Sequence, residues 1–252
     1  MISVKSKNEI EKMTVAGRIT GEVLEVVHEH VKPGVTTWEL DKIAEDFIRK
    51  NGAVPSFKNY AGFPGSICAS VNHQVIHGIP SHSVVLKEGD IISIDVGARY
   101  KGYHGDAART FPVGKISAEA QRLIDITKQS FFEGLKHCYE NARITDISHA
   151  VQVCAEGAGY GVVRDYVGHG VGAELHESPE IPNFGRPGRG ARLICGMTLA
   201  IEPMINMGDY RVKVLPDGWT VETLDGCLSA HYENTVLITK GEPKPLTLIE
   251  KS

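Results

Sequence analysis

Apolar residues in the first fifty positions recur at the spacing of an amphipathic helix. The first run follows Ser6-x-x-Glu9, a pattern typical of a capping box at a helix start. Pro33-Gly34 breaks this run, and Thr36-x-x-Glu39 begins a second one that Asn51-Gly52 ends. The pattern predicts two helices whose apolar faces carry Ile10, Met13, Ile19, Val23, Val26 and Val27 in the first, and Leu40, Ile43, Ala44, Phe47 and Ile48 in the second.

The hydrophobic period changes after the second helix. Residues 54–112 are rich in β-branched residues, glycine and proline, which predicts strands and turns. The same order then repeats, with helices predicted over 117–140 and 145–158 and strand-like segments to the end of the chain. This order indicates an internal duplication.

Short segments of the two halves correspond in the same order. Residues 89–95 align with 196–202, 104–106 with 231–233, and 35–36 with 144–145. We therefore expect two α+β halves, about 1–115 and 116–252, that form one sheet with helices outside and acidic residues meeting at the centre. Because no Ser/Gly-rich linker separates the halves, residues 1–252 are predicted to form a single domain.

Composition and charge exclude several classes of protein. The chain has 252 residues, 42% of them hydrophobic and 23% charged, and a net charge of -4, so a DNA-binding role is not expected. Five scattered cysteines without a CxxC pair indicate neither a disulfide framework nor a zinc ribbon. The start shows no signal peptide, and no apolar run approaches the ~20 residues that span a bilayer. We expect a cytoplasmic protein without a membrane segment.

Two acidic residues on a predicted hairpin are the first sign of chemistry. If the strands 91–98 and 103–111 turn about Tyr100-Lys101, Asp95 lies directly opposite Asp106 on one face. Like charges ~5 Å apart are destabilising, and burial makes the conflict worse. A divalent cation between the two carboxylates would remove it. The alternative is that both acids face solvent on the polar side of the hairpin.

Three further residues are candidate ligands. His169 lies among three glycines, Glu202 interrupts the apolar segment 199–204, and Glu233 precedes the apolar segment 234–238. Each has an ordinary explanation, as part of a flexible loop, on an edge strand or at a strand end. Taken together, acids interrupt apolar strands at corresponding places in both halves, which favours a metal centre.

The motifs around these residues closely resemble those of type I methionine aminopeptidases of the bacterial kind. They are Ile94-Asp95-Val96-Gly97, His104-Gly105-Asp106, Gly168-His169-Gly170-Val171-Gly172, Ile201-Glu202-Pro203-Met204 and Glu233-Asn234-Thr235, together with His77-Gly78-Ile79-Pro80 and Gly218-Trp219-Thr220. The resemblance covers essentially the whole chain. It implies the pita-bread fold, in which two pseudo-symmetric halves surround a curved antiparallel sheet with helices outside.

The resemblance also implies an activity and a ligand set. The family removes the initiator methionine from nascent proteins by two-metal hydrolysis and prefers a small second residue. Carried over by position, the ligands of two divalent ions are Asp95, Asp106, His169, Glu202 and Glu233, with Asp106 and Glu233 bridging both ions. A water between the ions would be acidified to hydroxide near neutral pH.

Further roles follow from the resemblance. Glu202 is the general base, His176 stabilises the polarised carbonyl, and His77 binds the substrate backbone; both histidines have an alternative role as hydrogen-bonded structural residues. The methionine pocket is expected to include Tyr60, Phe63, Cys68 and Trp219, with ordinary core packing as the alternative. Phe57 and Leu175 depart from residues common in the family, which puts the shape of the pocket in question.

The sequence is compatible with several metal ions and suggests two further binding partners. Cobalt, manganese, iron and zinc all suit the ligand set, and a monovalent cation near Asn72 and Ser229 is a further expectation from some relatives. The basic loop 183–192 suggests a transient ribosome contact, against the simpler interpretation of a solvated loop. A monomer is expected.

Three alternatives stay open at this stage. A prolidase or aminopeptidase P has the same five ligands but an additional N-terminal domain, for which a first helix beginning by residue 9 leaves no room. A type II methionine aminopeptidase has a helical insertion that the spacings from His169 to Glu202 and from Glu202 to Glu233 do not accommodate. A non-catalytic pita-bread binding module would have lost ligands, whereas all five are acidic or histidine here.

Overall fold

Four helices occupy the positions that the sequence pattern predicts. The computed structural model describes residues 2–249, so Met1 and residues 250–252 of the predicted domain lie outside it. Helices α1 (Lys7–His28) and α2 (Thr37–Lys50) belong to the first half, and α3 (Ala118–Leu135) and α4 (Ile144–Gly157) to the second. None of the helices between residues 2 and 249 is long and apolar enough to cross a membrane.

The helix starts are set by the capping boxes that the sequence predicts. The Ser6 N–H donates to Glu9 Oε2 at 2.7 Å, and the Thr36 N–H donates to Glu39 Oε2 at 2.7 Å. Helix α1 ends at His28 and α3 ends at Leu135, which is earlier than the predicted ends at Pro33 and residue 140. At both ends, backbone N–H groups donate to the carbonyl three residues earlier and not four, as the His30 N–H does to the Val27 carbonyl. This tighter turn ends the helix.

Within residues 2–249, five strands and a short 3₁₀ turn belong to the first half, and ten strands belong to the second. In the first half they are β1 (Val54–Pro55), the 3₁₀ turn Tyr60–Gly62, β2 (Ile67–Val71), β3 (Gln74–Ile76), β4 (Ile91–Tyr100) and β5 (Tyr103–Pro112). In the second half they are β6 (Gly161–Val162), β7 (Gly168–Gly170), β8 (Glu177–Ile181), β9 (Thr198–Ile201), β10 (Met204–Asn206), β11 (Val212–Val214), β12 (Val221–Thr223), β13 (Ser229–His231), β14 (Asn234–Leu237) and β15 (Lys244–Pro245).

The register of the β4–β5 hairpin differs from the predicted one. Asp95 pairs with Ala108, and Asp106 pairs with Gly97, so the two acids lie diagonally on one face. The prediction that they lie directly opposite each other was wrong. The turn is centred on Lys101 and Gly102, at φ 45° and 86°. A two-residue hairpin turn of this type requires positive φ at both central positions, which glycine adopts without strain and tyrosine does not.

In the second half, unlike the first, two acidic residues lie directly opposite each other on neighbouring strands. The pairings Met204 with His231 and Ile201 with Asn234 keep one register, so Glu202 and Glu233 lie opposite each other between them. Pro203 cannot donate a backbone hydrogen bond, and the strands are interrupted there. Its carbonyl still accepts the Tyr232 N–H at 3.1 Å, which keeps the two strands together.

Threonine hydroxyl groups join the two halves at the centre. Thr235 Oγ1 accepts the Asp106 N–H and donates to the Asp106 carbonyl, both at 2.9 Å. Thr110 Oγ1 accepts the His231 N–H at 2.8 Å and donates to the His231 carbonyl at 3.0 Å. The backbone next to two of the candidate ligands is therefore fixed by contacts from the opposite half.

Apolar side chains fill the space between the helices and the strands in both halves. In the first half they include Ile19, Val23, Leu40, Ile48, Ile92 and Ile94, and in the second Phe131, Ile147, Leu199, Ile201, Val236 and Ile238. The predicted α+β architecture with helices outside antiparallel strands is confirmed. The strands between residues 2 and 249 form four hydrogen-bonded sheets, however, and not the one sheet that was expected. The assignment of residues 1–252 to a single catalytic domain stays a prediction.

Candidate metal centre and substrate cavity

A cavity of about 520 Å³ contains all five candidate ligands. Asp95 lies within β4, Asp106 within β5 and His169 within β7, while Glu202 follows β9 and Glu233 precedes β14. Asp106, His169 and Glu233 each offer a ligand atom within 4.8 Å of the other two. Residues that are far apart in the sequence therefore meet at one place, where both halves contribute.

His169 is held with one ring nitrogen turned toward the acids. Its Nδ1 donates to the Gly170 carbonyl at 2.9 Å, which leaves Nε2 without a proton and available as a ligand. Nε2 lies 3.4 Å from Glu202 Oε1 and 3.8 Å from Asp106 Oδ2. Burial, and then the nearby His176, lower the pKa of His169 to about 3, so the imidazole is neutral.

Burial opposes the ionisation of the four carboxyl groups. It raises the pKa of Asp106 to about 7, and it raises the pKa values of Asp95, Glu202 and Glu233 well above their ordinary values. The charge of Asp106 adds to the rise in the pKa of Asp95, Glu202 and Glu233. Four ionised groups at this depth need positive charge between them.

Buried carboxyl oxygen atoms without a hydrogen-bond partner show that the site fits a cation. Asp95 Oδ1, Asp106 Oδ1 and Glu233 Oε1 are buried without a hydrogen-bond partner among residues 2–249. Buried polar atoms normally have a partner, because an unsatisfied one costs about 1–3 kcal/mol. Carboxylate oxygens with one imidazole suit manganese, iron, cobalt or zinc.

His231 also belongs to this site, although the sequence analysis did not include it among the site residues. Its Nε2 lies 3.8 Å from Glu202 Oε2 and 3.9 Å from Glu233 Oε2, and burial lowers its pKa to about 3. The signal that could have found it is its position two residues before Glu233, since alternate residues of a strand share a face. His104, which aligns with it in the first half, instead hydrogen-bonds Ser56 Oγ.

The two histidines with predicted catalytic roles both line the cavity. His176 is exposed at the mouth, where its Nδ1 lies 2.8 Å from the Tyr60 hydroxyl and its ring centre lies 4.3 Å from that of His169. His77 adopts a positive φ of 59°, and its ring meets Tyr166 edge-on at 5.8 Å. Burial lowers the pKa of His77 to about 4.

An apolar wall stands beside the acidic base of the cavity. Phe63 and Cys68 are buried there with Phe57 and Leu175, and Trp219 meets Phe63 edge-on at 5.1 Å. Tyr60, 40% exposed, lies at the mouth. The structure thus brings together every predicted pocket residue, and with them Phe57 and Leu175, which differ from the residues common in the family. Lining residues that the sequence analysis did not name are Ile76, Asp165, Tyr166, Val167, Glu177, Ser178 and Glu180.

The glycines around His169 allow close packing rather than unusual backbone angles. None of Gly168, Gly170 and Gly172 has a positive φ. A Cβ at Gly168 would collide with the Ala200 carbonyl oxygen, and one at Gly170 would approach the Ser178 carbonyl oxygen to 2.5 Å. His169 is therefore presented by a strand that lies tightly against both of its neighbours.

Asn72 and Ser229, the predicted neighbours of a monovalent cation, come together outside the cavity lining. The Ser229 N–H donates to the Asn72 carbonyl at 2.9 Å. The Asn72 side chain accepts the Ile91 N–H at 3.0 Å and donates to Asp90 at 2.8 Å. This contact links the two halves of the chain.

The fold and the acidic cavity are those of a metal-dependent peptide hydrolase, and comparison with known proteins agrees. The model of metallopeptidase family M24 matches residues 11–240, and the chain belongs to this family.

Within the family, the strong similarities are to methionine aminopeptidases. The methionine aminopeptidase of Clostridium perfringens is 60% identical over 250 residues, which cover 99% of this chain and 100% of the relative. The crystal structure of methionine aminopeptidase from Thermotoga maritima superposes with a TM-score of 0.97 at 46% identity, covering 98% of this chain and 99% of that one. The predicted resemblance is confirmed.

A proline-specific relative is more distant. Prolidase from Pyrococcus furiosus superposes with a TM-score of 0.79 at 25% identity, covering 98% of this chain but 66% of the prolidase. The comparisons therefore support the methionine aminopeptidase prediction over the prolidase alternative.

Proposed function

We propose that this chain removes the initiator methionine from new proteins by hydrolysing the first peptide bond, with preference for a small second residue. The observation that carries the proposal is the set of four buried carboxyl groups and His169 beside an apolar wall, in one cavity. The wall suits an uncharged thioether side chain, and the acidic base lies where the terminal peptide bond would be hydrolysed.

Two divalent ions, of cobalt, manganese, iron or zinc, would occupy the base of the cavity. Their ligands would be Asp95, Asp106, His169, Glu202 and Glu233, which all line this cavity. Four carboxylates then balance the charge of the two ions. When bound, the ions would stabilise negative charge on the substrate carbonyl and make water a stronger acid.

The side chains of the chain itself supply the proton transfers and the orientation of the substrate. Glu202 accepts a proton from the attacking water and passes it toward the leaving amine. The Tyr60 hydroxyl lies 2.8 Å from His176 Nδ1. When the hydroxyl donates this bond, His176 carries its proton on Nε2, and the Nε2–H is free to donate to the developing oxyanion. His77, kept neutral by burial, binds the substrate backbone.

Methionine specificity would come from the apolar wall. Tyr60, Phe63, Cys68 and Trp219 would form the subsite, and Phe57 and Leu175 would complete its wall. Burial raises the pKa of Cys68 well above its ordinary value, so it stays an uncharged thiol that can contact the thioether.

The biological setting is part of the same proposal. The substrates would be nascent chains in the cytoplasm, and the chain would act as a monomer. The exposed Arg186, Arg189 and Arg192 of the loop 183–192 would make a transient contact with the ribosome. A monovalent cation would bind near Asn72 and Ser229, where the Ser229 N–H donates to the Asn72 carbonyl and the Ser229 hydroxyl donates to the Ile205 carbonyl.

A pair of peptides tests the proposal. The chelated protein, with and without added Mn²⁺ or Co²⁺, is incubated with Met-Ala-Ser and Ala-Pro-Ser, and free amino acids are quantified. We expect release of methionine alone, and only with metal. Release of alanine from Ala-Pro-Ser would assign a proline-specific activity instead, and no release with any metal would favour a binding module.

A further inference from the structure

The loop that carries His176 is a six-residue connection, 171–176, between β7 and β8. Its backbone closes through a bond from the Gly172 N–H to the Glu174 carbonyl at 3.0 Å. The His104 N–H donates to the Gly172 carbonyl at 2.9 Å and fixes the loop to β5. His176 is the last residue of this loop, so its position depends on how firmly the adjoining residue, Glu177, is held.

Glu177 holds the loop with both of its carboxylate oxygens. Oε1 accepts the Glu174 N–H at 3.3 Å, which ties the side chain back to the loop. Oε2 accepts a hydrogen bond from Lys5 Nζ at 2.5 Å. The side chains of Lys5 and Glu177 are only 3% and 14% exposed, so solvent screens their attraction little.

Lys5 reaches this loop from the segment that precedes α1. Its own N–H donates to the Gly196 carbonyl at 2.8 Å, which anchors the segment to the second half of the chain. Gly172 leaves the necessary space, because a Cβ there would lie 2.5 Å from Lys5 Cε and would collide with the Glu177 carboxylate. Lysine is almost never this buried without a partner, and Glu177 is the partner here.

We propose that Lys5 is a positioning residue for His176. Its ammonium group holds the Glu177 carboxylate against the loop, and the loop then holds the imidazole at hydrogen-bond distance from Tyr60. This inference rests on the proposed function, in which His176 stabilises the oxyanion. Lys5 itself does not line the cavity and touches no substrate.

Loss of the ammonium group affects the loop more than the methionine subsite. Without it, Glu177 keeps a poorly solvated carboxylate with one backbone partner, and the carboxylate moves toward water. The loop residues then follow, and His176 loses the orientation that Tyr60 imposes. Leu175 is the one residue of the apolar wall on this loop, whereas Phe63, Cys68 and Trp219 lie on other segments. Substrate binding therefore changes less than the rate of the chemical step.

Steady-state kinetics of Lys5→Met, with Lys7→Met as a matched control at an exposed position, tests the inference. With Met-Ala-Ser and saturating Mn²⁺, we expect kcat of K5M to fall about 10–100-fold, the range for residues that orient a catalytic group, with KM little changed. Lys5→Arg keeps the cation and should recover most of kcat. In a His176→Ala background, K5M should lower kcat no further, since both changes remove the same interaction.

Hydrogen exchange supplies a readout that is independent of activity. In the chelated protein, the amides of Gly172 and Glu174 should exchange faster in K5M and not in K7M. If K5M does not fold, Glu177→Gln breaks the same pair from the other side and is measured in its place.

The outcomes separate this inference from the proposed function. No methionine release by the unmodified chain, or an unchanged kcat in H176A, would refute the proposed function or the role of His176. If the unmodified chain releases methionine and H176A lowers kcat, two results would still overturn the role of Lys5. One is that K5M keeps both kcat and the slow amide exchange of the loop. The other is that K5M lowers kcat equally with and without His176.

Discussion

Glu233 and Ala108 exchange backbone hydrogen bonds across the junction between the two halves of the chain. The Glu233 N–H donates to the Ala108 carbonyl at 2.9 Å, and the Ala108 N–H donates to the Glu233 carbonyl at 3.3 Å. Asp95 is the partner of Ala108 on its other side, and Glu202 lies opposite Glu233. Three acids and one alanine therefore form a single row across four strands, and Asp106 lies two residues before the alanine on the same strand, β5.

The small side chain of Ala108 leaves the space into which these acids point. Directly opposed residues share a face of a sheet, so the methyl group of Ala108 lies between Asp95 and Glu233. Ala108→Leu should fill this space and weaken Mn²⁺ binding at least about tenfold, with an overpacking cost of about 1–3 kcal/mol.

Calorimetric titration of A108L against Ala108→Ser, which adds a single oxygen, checks this expectation. Metal affinity of A108L equal to that of A108S would contradict the role assigned to the alanine.

Thr235 supports the ligand Asp106 from the opposite half. Thr235→Val keeps the shape of the side chain but leaves the Asp106 N–H and carbonyl without their hydroxyl partner. An unsatisfied buried polar group costs about 1–3 kcal/mol, so we expect the free energy of unfolding to fall by about that amount. Urea unfolding of the chelated protein measures it, with Thr235→Ser as the control. Equal stability of the two variants would rule out this contribution.

Trp219 should contribute to methionine binding more than to the chemical step. It meets Phe63 edge-on at the apolar wall, where its ring would contact the methionine side chain. Loss of apolar contact with a substrate, of the size of one methylene group, costs about 1–3 kcal/mol. We expect Trp219→Ala to raise KM for Met-Ala-Ser about tenfold with kcat nearly unchanged. The second tryptophan, Trp38, stacks on His82 away from the cavity and provides the control. A similar KM for Trp219→Ala and Trp38→Ala would argue against the subsite.

The stability of the metal-free protein should decrease as the pH rises above neutrality. Burial raises the pKa of Asp106 to about 7 and the pKa values of Asp95, Glu202 and Glu233 well above the ordinary range. At neutral pH the folded state therefore binds more protons than the unfolded state, whose carboxyl groups are ionised above about pH 4. The stability from these protons is complete below that pH and is lost as the pH rises through about 7.

Thermal unfolding at about pH 7.5 and about pH 9 tests this sign. Histidines with lowered pKa values contribute little in this range, because unfolded imidazoles, with an ordinary pKa of about 6.5, are then about 90% neutral or more. We expect a lower Tm at the higher pH for the chelated protein and a much smaller decrease with Mn²⁺, whose binding favours the ionised carboxylates. An unchanged or rising Tm of the chelated protein would contradict the raised pKa values.

The helices and the acidic positions could be predicted because their signals are local. Ser6 with Glu9 and Thr36 with Glu39 specify helix starts within four residues, and an acid inside an apolar strand is visible in any single segment. The hairpin register was missed because it depends on which two residues adopt positive φ, here Lys101 and Gly102. The contact of Lys5 with Glu177 joins residues 172 positions apart and has no local signal.

The two-metal assignment is tested most directly by a titration of the chelated protein with Mn²⁺, in which bound metal and release of methionine from Met-Ala-Ser are followed together. Activity should appear only as metal binds and should saturate near two ions per chain. Asp106→Asn, which removes one of the proposed ligand carboxylates, should then bind little metal and lose about 10³-fold or more in kcat/KM. Methionine release by the metal-free chain, or near-normal turnover by Asp106→Asn, would contradict the two-metal assignment.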